Sequence, residues 1–144
     1  MPVYSAHAVI IYQKKTLFNQ EHEDFGPLLP GGRFDKKDLD MIGKIMEEDL
    51  SANVLRRELN EELKPDRISV NQYLGYVPDD ITTKSGKTHH VEKMYFWQVA
   101  IEPKKLESLQ SRTSVPLMYL NLAEIENKVR SPAMKKIIKR FYIF

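Results

Sequence analysis

Apolar and polar positions along the chain recur with two periods, which divide it into short strands and a few helices. Val3 to Asn19 reads as two strands, Ala6 to Tyr12 and Thr16 to Asn19, around the polar turn Gln13-Lys14-Lys15, so a hairpin opens the chain. Gln20 to Phe34 contains Gly26, Pro27, Pro30, Gly31 and Gly32, which no regular element holds together. It is expected to be a loop or a short irregular strand whose glycines permit close backbone approach. Asp35 to Asp49 is charged and weakly periodic, with Leu39, Met41, Ile42, Ile45 and Met46 as apolar members, and reads as a surface insertion that is helical in part. Helix signals strengthen from Asp49 or Ser51, either an acceptable N-cap, through Leu63, and Pro65 stops the helix.

Beyond that helix, Ile68 to Val77 and Val91 to Ile101 are rich in β-branched and aromatic residues. The polar segment Asp79 to His90 between them, with Ser85-Gly86, predicts a hairpin with a long, mobile tip. Pro116 to Leu120 is a further short strand, and Leu122-Ala123-Glu124-Ile125 opens a short helix. Pro132 to Phe144 places Met134, Ile137, Ile138 and Phe141 at helical spacing, with Lys135, Lys136, Lys139 and Arg140 elsewhere on the surface, so an amphipathic helix ends the chain. No internal repeat or low-complexity tract interrupts this order.

Composition narrows the picture. A chain of 144 residues is the size of one domain, and 42% hydrophobic with 29% charged residues predicts a packed core rather than disorder. The absence of cysteine excludes a disulfide framework, a thiolate zinc site and a thiol nucleophile, so any metal must sit on oxygen or imidazole. Met1 to His7 carries no basic run, and the apolar stretch Ala8 to Ile11 is too short for a signal peptide or membrane span, so a cytoplasmic protein with no membrane partner is expected. A formal charge of +2 falls short of the basic field of a duplex nucleic-acid binder. The basic residues of the terminal helix read as a solvated face.

The chemistry concentrates on the central helix. On a wheel of Ala52 to Leu63, Glu58, Glu61 and Glu62 share one arc through i, i+3 and i+4 spacing, and Leu55, Leu59 and Leu63 form the arc beside it. The leucines can be buried while the carboxylates face a cleft, and a cation relieves the repulsion among the carboxylates. Oxygen ligands on one rigid element suit Mg²⁺ or Mn²⁺. Arg57, beside Glu58 and four residues before Glu61, is placed to orient them. Three glutamates alone would ordinarily be no more than a solvated helix face.

Their context changes that reading. Arg57-Glu58-Leu59-Asn60-Glu61-Glu62 resembles the core of the Nudix box, and Leu29-Pro30-Gly31-Gly32 resembles the Pro-Gly-Gly turn that precedes the box helix in Nudix hydrolases. Three departures accompany the match. Gly32 stands 25 positions before Arg57 where the family pattern has 14, which makes residues 35–48 an insertion; Gly43 has the family spacing but no Pro-Gly partner. Asp49 stands in place of the box's earlier glutamate, and Lys64 in place of a glycine, which implies a different helix exit.

The resemblance implies a single α/β domain over 1–144, a Nudix-like α/β/α sandwich with a mixed central sheet. It implies a metal-dependent hydrolase that cleaves a phosphate anhydride in a nucleoside diphosphate linked to another moiety, by attack of a metal-activated water on phosphorus. Glu61 and Glu62 would be the main ligands of Mg²⁺ or Mn²⁺, with Glu58 a further ligand or a base and the Gly31 or Gly32 carbonyl completing the sphere. A later acid joins the metal in many such enzymes; Glu107 is the preferred candidate over Glu102, Glu92 and Asp79-Asp80. Arg33 is a candidate for phosphate, and His89 and His90, with Lys84, Lys87 and Lys93 nearby, for an anionic ligand. Tyr95 and Trp97, alternating onto one strand face, are candidates for stacking on a base, although aromatics at period two more often belong to a core. Substrates in view are small nucleotide derivatives, with capped RNA among them, and dimers are common among proteins resembling this one. The rival readings are a catalytically silent nucleotide sensor, which the intact glutamates disfavour, and an isoprenoid diphosphate isomerase, whose cysteine chemistry this chain lacks.

Overall fold

The structure is a computed structural model that describes residues 2–142. The chain enters through β1 (Tyr4–Val9), leaves the strand at Ile10, and forms the hairpin β2 (Ile11–Tyr12) and β3 (Lys15–Asn19). Gln13 and Lys14 both take positive φ in the two-residue turn, as a tight hairpin twisted to match its strands requires. A single helical turn at Glu23–Phe25 precedes β4 (Gly31–Arg33). Then come α1 (Lys36–Asp40), α2 (Glu47–Glu62), β5 (Arg67–Thr82), β6 (Thr88–Glu102), α3 (Leu106–Gln110), β7 (Leu117–Leu120), α4 (Leu122–Lys128) and α5 (Pro132–Tyr142). Ile143 and Phe144, which the sequence assigned to the last helix, lie outside the described residues.

Two sheets share the core. The larger has the order β4-β1-β6-β5 and is mixed, because β1 runs parallel to β6 while the other pairs are antiparallel; the smaller has the order β2-β3-β7. Along β6 the pleat sends Tyr95, Trp97, Val99 and Ile101 toward α2, where they meet Leu50, Val54, Leu55, Leu59 and Leu63. Met94 and Phe96 point the other way, against Ile125, Met134, Ile137 and Ile138 of α4 and α5. A sheet covered on both faces by helices is an α/β/α sandwich, as expected. Leu55, Leu59 and Leu63 are fully buried, and each contributes on the order of 1.5–3 kcal/mol of apolar burial. Among the described residues no helix is long and apolar enough to cross a membrane.

Several boundaries differ from expectation for identifiable reasons. Helix α2 begins two residues before Asp49, with Met46 at the N-cap and no side-chain cap; the acidic first turn Glu47-Glu48-Asp49 is favoured by the positive end of the helix dipole. Ser51 is buried inside the helix, where its hydroxyl donates to the Glu48 carbonyl and accepts from Trp97 Nε1 at 2.9 Å. The helix exit at Lys64 lies in the left-handed region (φ +47°), which glycine adopts freely and lysine at a cost of about 1 kcal/mol. The missing glycine is thus met by strain at the lysine itself.

The polar segment after Val77 is not a long tip. Strands β5 and β6 stay paired as far as Thr82 and Thr88, and the turn closes with Thr83 N–H on the Lys87 carbonyl at 2.8 Å. Asp24 holds that turn to the Glu23–Phe25 segment, accepting from Ser85 N–H at 2.9 Å and Ser85 Oγ at 2.7 Å. Arg130 adds Nε to the Thr82 carbonyl at 2.6 Å. Helix α3 was not foreseen.

Candidate active site

Two glycines set how closely α2 can approach the sheet. Gly31 pairs with His7 and Gly32 with Ala6 across β1 and β4. A Cβ on Gly31 would stand 2.0 Å from the Ala6 carbonyl oxygen, and one on Gly32 would stand 2.4 Å from Glu58 Oε2. The first glycine therefore admits the neighbouring strand and the second admits a carboxylate. Gly43 is exposed in the insertion with open space around it, so Gly31-Gly32 is the pair beside the helix.

Glu62 reaches back over the same turn. Its Oε2 accepts from Gly31 N–H at 3.4 Å and its Oε1 from Asn19 Nδ2. Burial pushes its carboxyl up to about 7 against the opposing effect of those two hydrogen bonds, with Glu21 and Glu58 adding repulsion. Glu58 is also raised, by burial first and by the charge of Glu61, while Arg57 opposes the shift. Glu61, one helical turn on, is exposed. These carboxylates line a cleft of about 770 Å³ with Gly31, Gly32 and Glu21, and share it with Lys64 and the loop Ser111 to Val115. Arg112 of that loop is fixed by Asp66, at 2.8 and 3.0 Å, and by the Lys64 carbonyl at 3.0 Å.

Among the described residues no group of three or more histidine, aspartate or glutamate side chains is arranged closely enough to hold a metal ion as it stands. The donor set nevertheless fits Mg²⁺ or Mn²⁺. It is all oxygen and partly desolvated, and its mutual repulsion a cation would offset; such ions take one or two carboxylates and complete their shell with water and substrate phosphate.

The remaining predicted residues divide sharply. Arg57 donates to Glu58 Oε1 at 3.3 Å. Tyr95 and Trp97 are on one face as their spacing requires, but that face is the core beneath α2; they are 0% and 9% exposed, so base stacking by them is corrected. Glu107 lies in the first turn of α3, beside Tyr12, Lys15 and Tyr119 and apart from the glutamate cleft, so it does not complete that site. Asp79 is buried and accepts from Ser131 Oγ and from Ala133 N–H at 3.1 Å, at the start of α5, while Asp80 pairs with His90 at 2.7 Å. Lys93 pairs with Glu47 at 2.9 Å.

Arg33 and His89 line a second cavity of about 390 Å³, more apolar than the first, with Phe25, Leu28, Ile81 and Met134 in its wall. Phe25 and His89 lie ring to ring with centroids 4.7 Å apart. His7, at its inner wall, donates from Nδ1 to the Leu29 carbonyl at 3.0 Å and sits 3.1 Å from Ser5 Oγ; burial lowers its pKa to about 4, which keeps it neutral. The two hollows meet at Glu21, Gly31 and Gly32.

No protein-family profile matches the sequence, and no curated protein does. Solved structures match over nearly the whole chain. A Nudix hydrolase of Nitrosomonas europaea superposes with a TM-score of 0.65 at 17% identity, over 99% of this chain and 89% of that one. The fold is the Nudix fold. An Ap4A hydrolase of C. elegans gives a TM-score of 0.61 at 16% identity over 99% and 97% of the two chains. An ADP-ribose pyrophosphatase of Streptococcus suis gives 0.51 at 16% identity over 85% and 76%.

Within this Nudix-fold domain three residues at the site escaped the sequence reading. Asn19 is buried at the end of β3 and holds Glu62; its only signal was a polar residue closing an apolar strand. Asp38, from α1, accepts both Nη groups of Arg57. Phe25 had no signal, being one aromatic in a loop.

Proposed function

We propose that this chain is a hydrolase of phosphate anhydrides in nucleoside diphosphate derivatives, working with Mg²⁺ or Mn²⁺ in the cleft between α2 and the Gly31-Gly32 strand, and that it acts in the cytoplasm. The single observation that carries the reading is the seating of Glu58 and Glu62 directly on those glycines, Glu58 where only a hydrogen fits and Glu62 on the Gly31 N–H. A solvated helix face would have no such seat. Neighbours of the same fold whose names give Ap4A and ADP-ribose as what they act on support a nucleotide substrate.

Glu61 and Glu62 would hold the ion, with the Gly31 or Gly32 carbonyl beside them; bound there, it offsets diphosphate charge and acidifies water. The chain's own groups do the rest. Asn19 and the Gly31 N–H fix the Glu62 carboxylate. Arg57 occupies Glu58 Oε1, leaving Oε2, on the Gly32 side, to hold the ion or accept a proton from the attacking water. Arg33, which lines the second cavity, would meet a phosphate oxygen, and the Phe25–His89 pair a flat ring.

A panel of nucleoside triphosphates, nucleotide sugars, dinucleoside polyphosphates, ADP-ribose and capped RNA, scored for product release with Mg²⁺ or Mn²⁺, tests the reading. At least one substrate is expected to turn over, with Glu61→Gln reducing kcat by about a hundredfold. Equal behaviour of wild type and mutant would overturn it.

A further inference from the structure

Resting on the hydrolase reading, we infer that Asp38 of the 35–48 insertion is a positioning residue: it grips the Arg57 guanidinium so that Arg57 in turn holds Glu58 against Gly32. Asp38 Oδ1 accepts from Arg57 Nη1 at 3.0 Å and Oδ2 from Nη2 at 2.9 Å, a two-pronged pairing that fixes the plane as well as the place of the guanidinium. The same Nη2 donates to Glu58 Oε1 at 3.3 Å. Without the grip, a long side chain on the helix surface would be free to turn toward water.

The insertion is built to present this carboxylate. Asp38 is the third residue of α1, where it and the N-cap Asp35 satisfy each other's backbone: Asp38 N–H donates to Asp35 Oδ1 at 3.0 Å and Asp35 N–H to Asp38 Oδ2 at 2.8 Å. Leu39, Ile42 and Ile45 rest against the core that includes α2, so the segment is docked. Of the two insertion acids near Arg57, Asp38 is the closer and the better shielded; its side chain is 12% exposed, against 55% for Asp35, which stands 3.7 Å away. The chain of support therefore runs from the core through α1 and Asp38 to Arg57, then to Glu58 and the glycine beneath it. The pairing and the capping box also steady α1, so the effect in the site is read apart from stability.

The test measures Mn²⁺ binding to metal-free protein by the electron paramagnetic resonance of free Mn²⁺, together with kcat, KM and Tm, for Asp38→Ala, Asp38→Asn and the surface control Lys36→Ala. Kinetics use Ap4A or ADP-ribose, whichever the wild type hydrolyses. Asp38→Ala is expected to lower kcat and weaken Mn²⁺ binding by about tenfold with KM little changed and Tm lowered by a few degrees through the lost cap, and Lys36→Ala to match wild type. In an Arg57→Ala background, Asp38→Ala should add nothing, because it acts through the arginine. Unchanged Mn²⁺ binding and kcat in Asp38→Ala, or effects that add to those of Arg57→Ala, would overturn the inference. A wild type that binds no Mn²⁺ and hydrolyses nothing overturns the hydrolase reading instead, so the two failures are distinguishable.

Discussion

The acidic cleft and the aromatic cavity lie side by side and share Glu21, Gly31 and Gly32, yet they are built in opposite ways. The cleft takes its chemistry from one rigid element, where Glu58, Glu61 and Glu62 are placed by helix geometry and anchored by buried leucines. The cavity is walled by side chains from β1, β3, β4, β5, β6, α5 and the loop around Phe25, gathered from separate stretches of the chain. A cluster of chemical groups can be carried by a short local pattern, whereas a hollow walled by many elements is assembled by the whole fold.

The sharpest way to break this contrast is Gly32→Ala. Its backbone has no positive φ, so the protein should fold normally, but the added methyl must displace Glu58. A misplacement of that size should cost kcat about a hundredfold at unchanged Tm. Wild-type turnover in this variant would separate Glu58 from the reaction.

A smaller and different response is expected from the cavity. Phe25→Ala removes one ring of the 4.7 Å pair, which should raise KM for a nucleotide about tenfold while kcat stays within about twofold. A fall in kcat alone would show that the two hollows are not divided in this way.

The smallest effect is on stability. Because burial raises Glu62 to about 7 in the folded protein from an ordinary 4.5, the folded state binds more protons than the unfolded state between those values. Metal-free protein should therefore lose stability as pH rises from about 5 to 7.5, by on the order of 2 kcal/mol after allowance for partial exposure. Thermal melts in chelator at pH 5, 6.5 and 8 check this, and Glu62→Gln should flatten the curve in that window. Added Mn²⁺ should raise Tm more at pH 8 than at pH 5.

What could be read from the residues follows the same division. The i, i+3, i+4 glutamates and the Pro-Gly-Gly run were legible because each is a local pattern with one geometric outcome. Tyr95 and Trp97 show where such legibility stops: period two tells which residues share a face, but not that helices cover both faces, which is why Met94 and Phe96 are buried as well. Asp38 looked like one acid among many in a charged insertion, since its pairing with Arg57 spans 19 positions and depends on the tertiary docking of α1. The residues from Asp79 to His90 are polar enough to read as a loop, yet the ladder continues through them, because one face of the ribbon, with Asp79, Ile81 and Thr83, is buried while its polar residues alternate onto the other. Helix α2 started early for a related reason: Ser51, a good cap in isolation, was worth more as a buried partner for Trp97.

The strip common to both hollows, two glycines and Glu21, is a threshold between them. On the proposed reading, a molecule that met carboxylates at one end and the Phe25–His89 pair at the other would lie across that threshold, so its reach would matter as much as its chemistry.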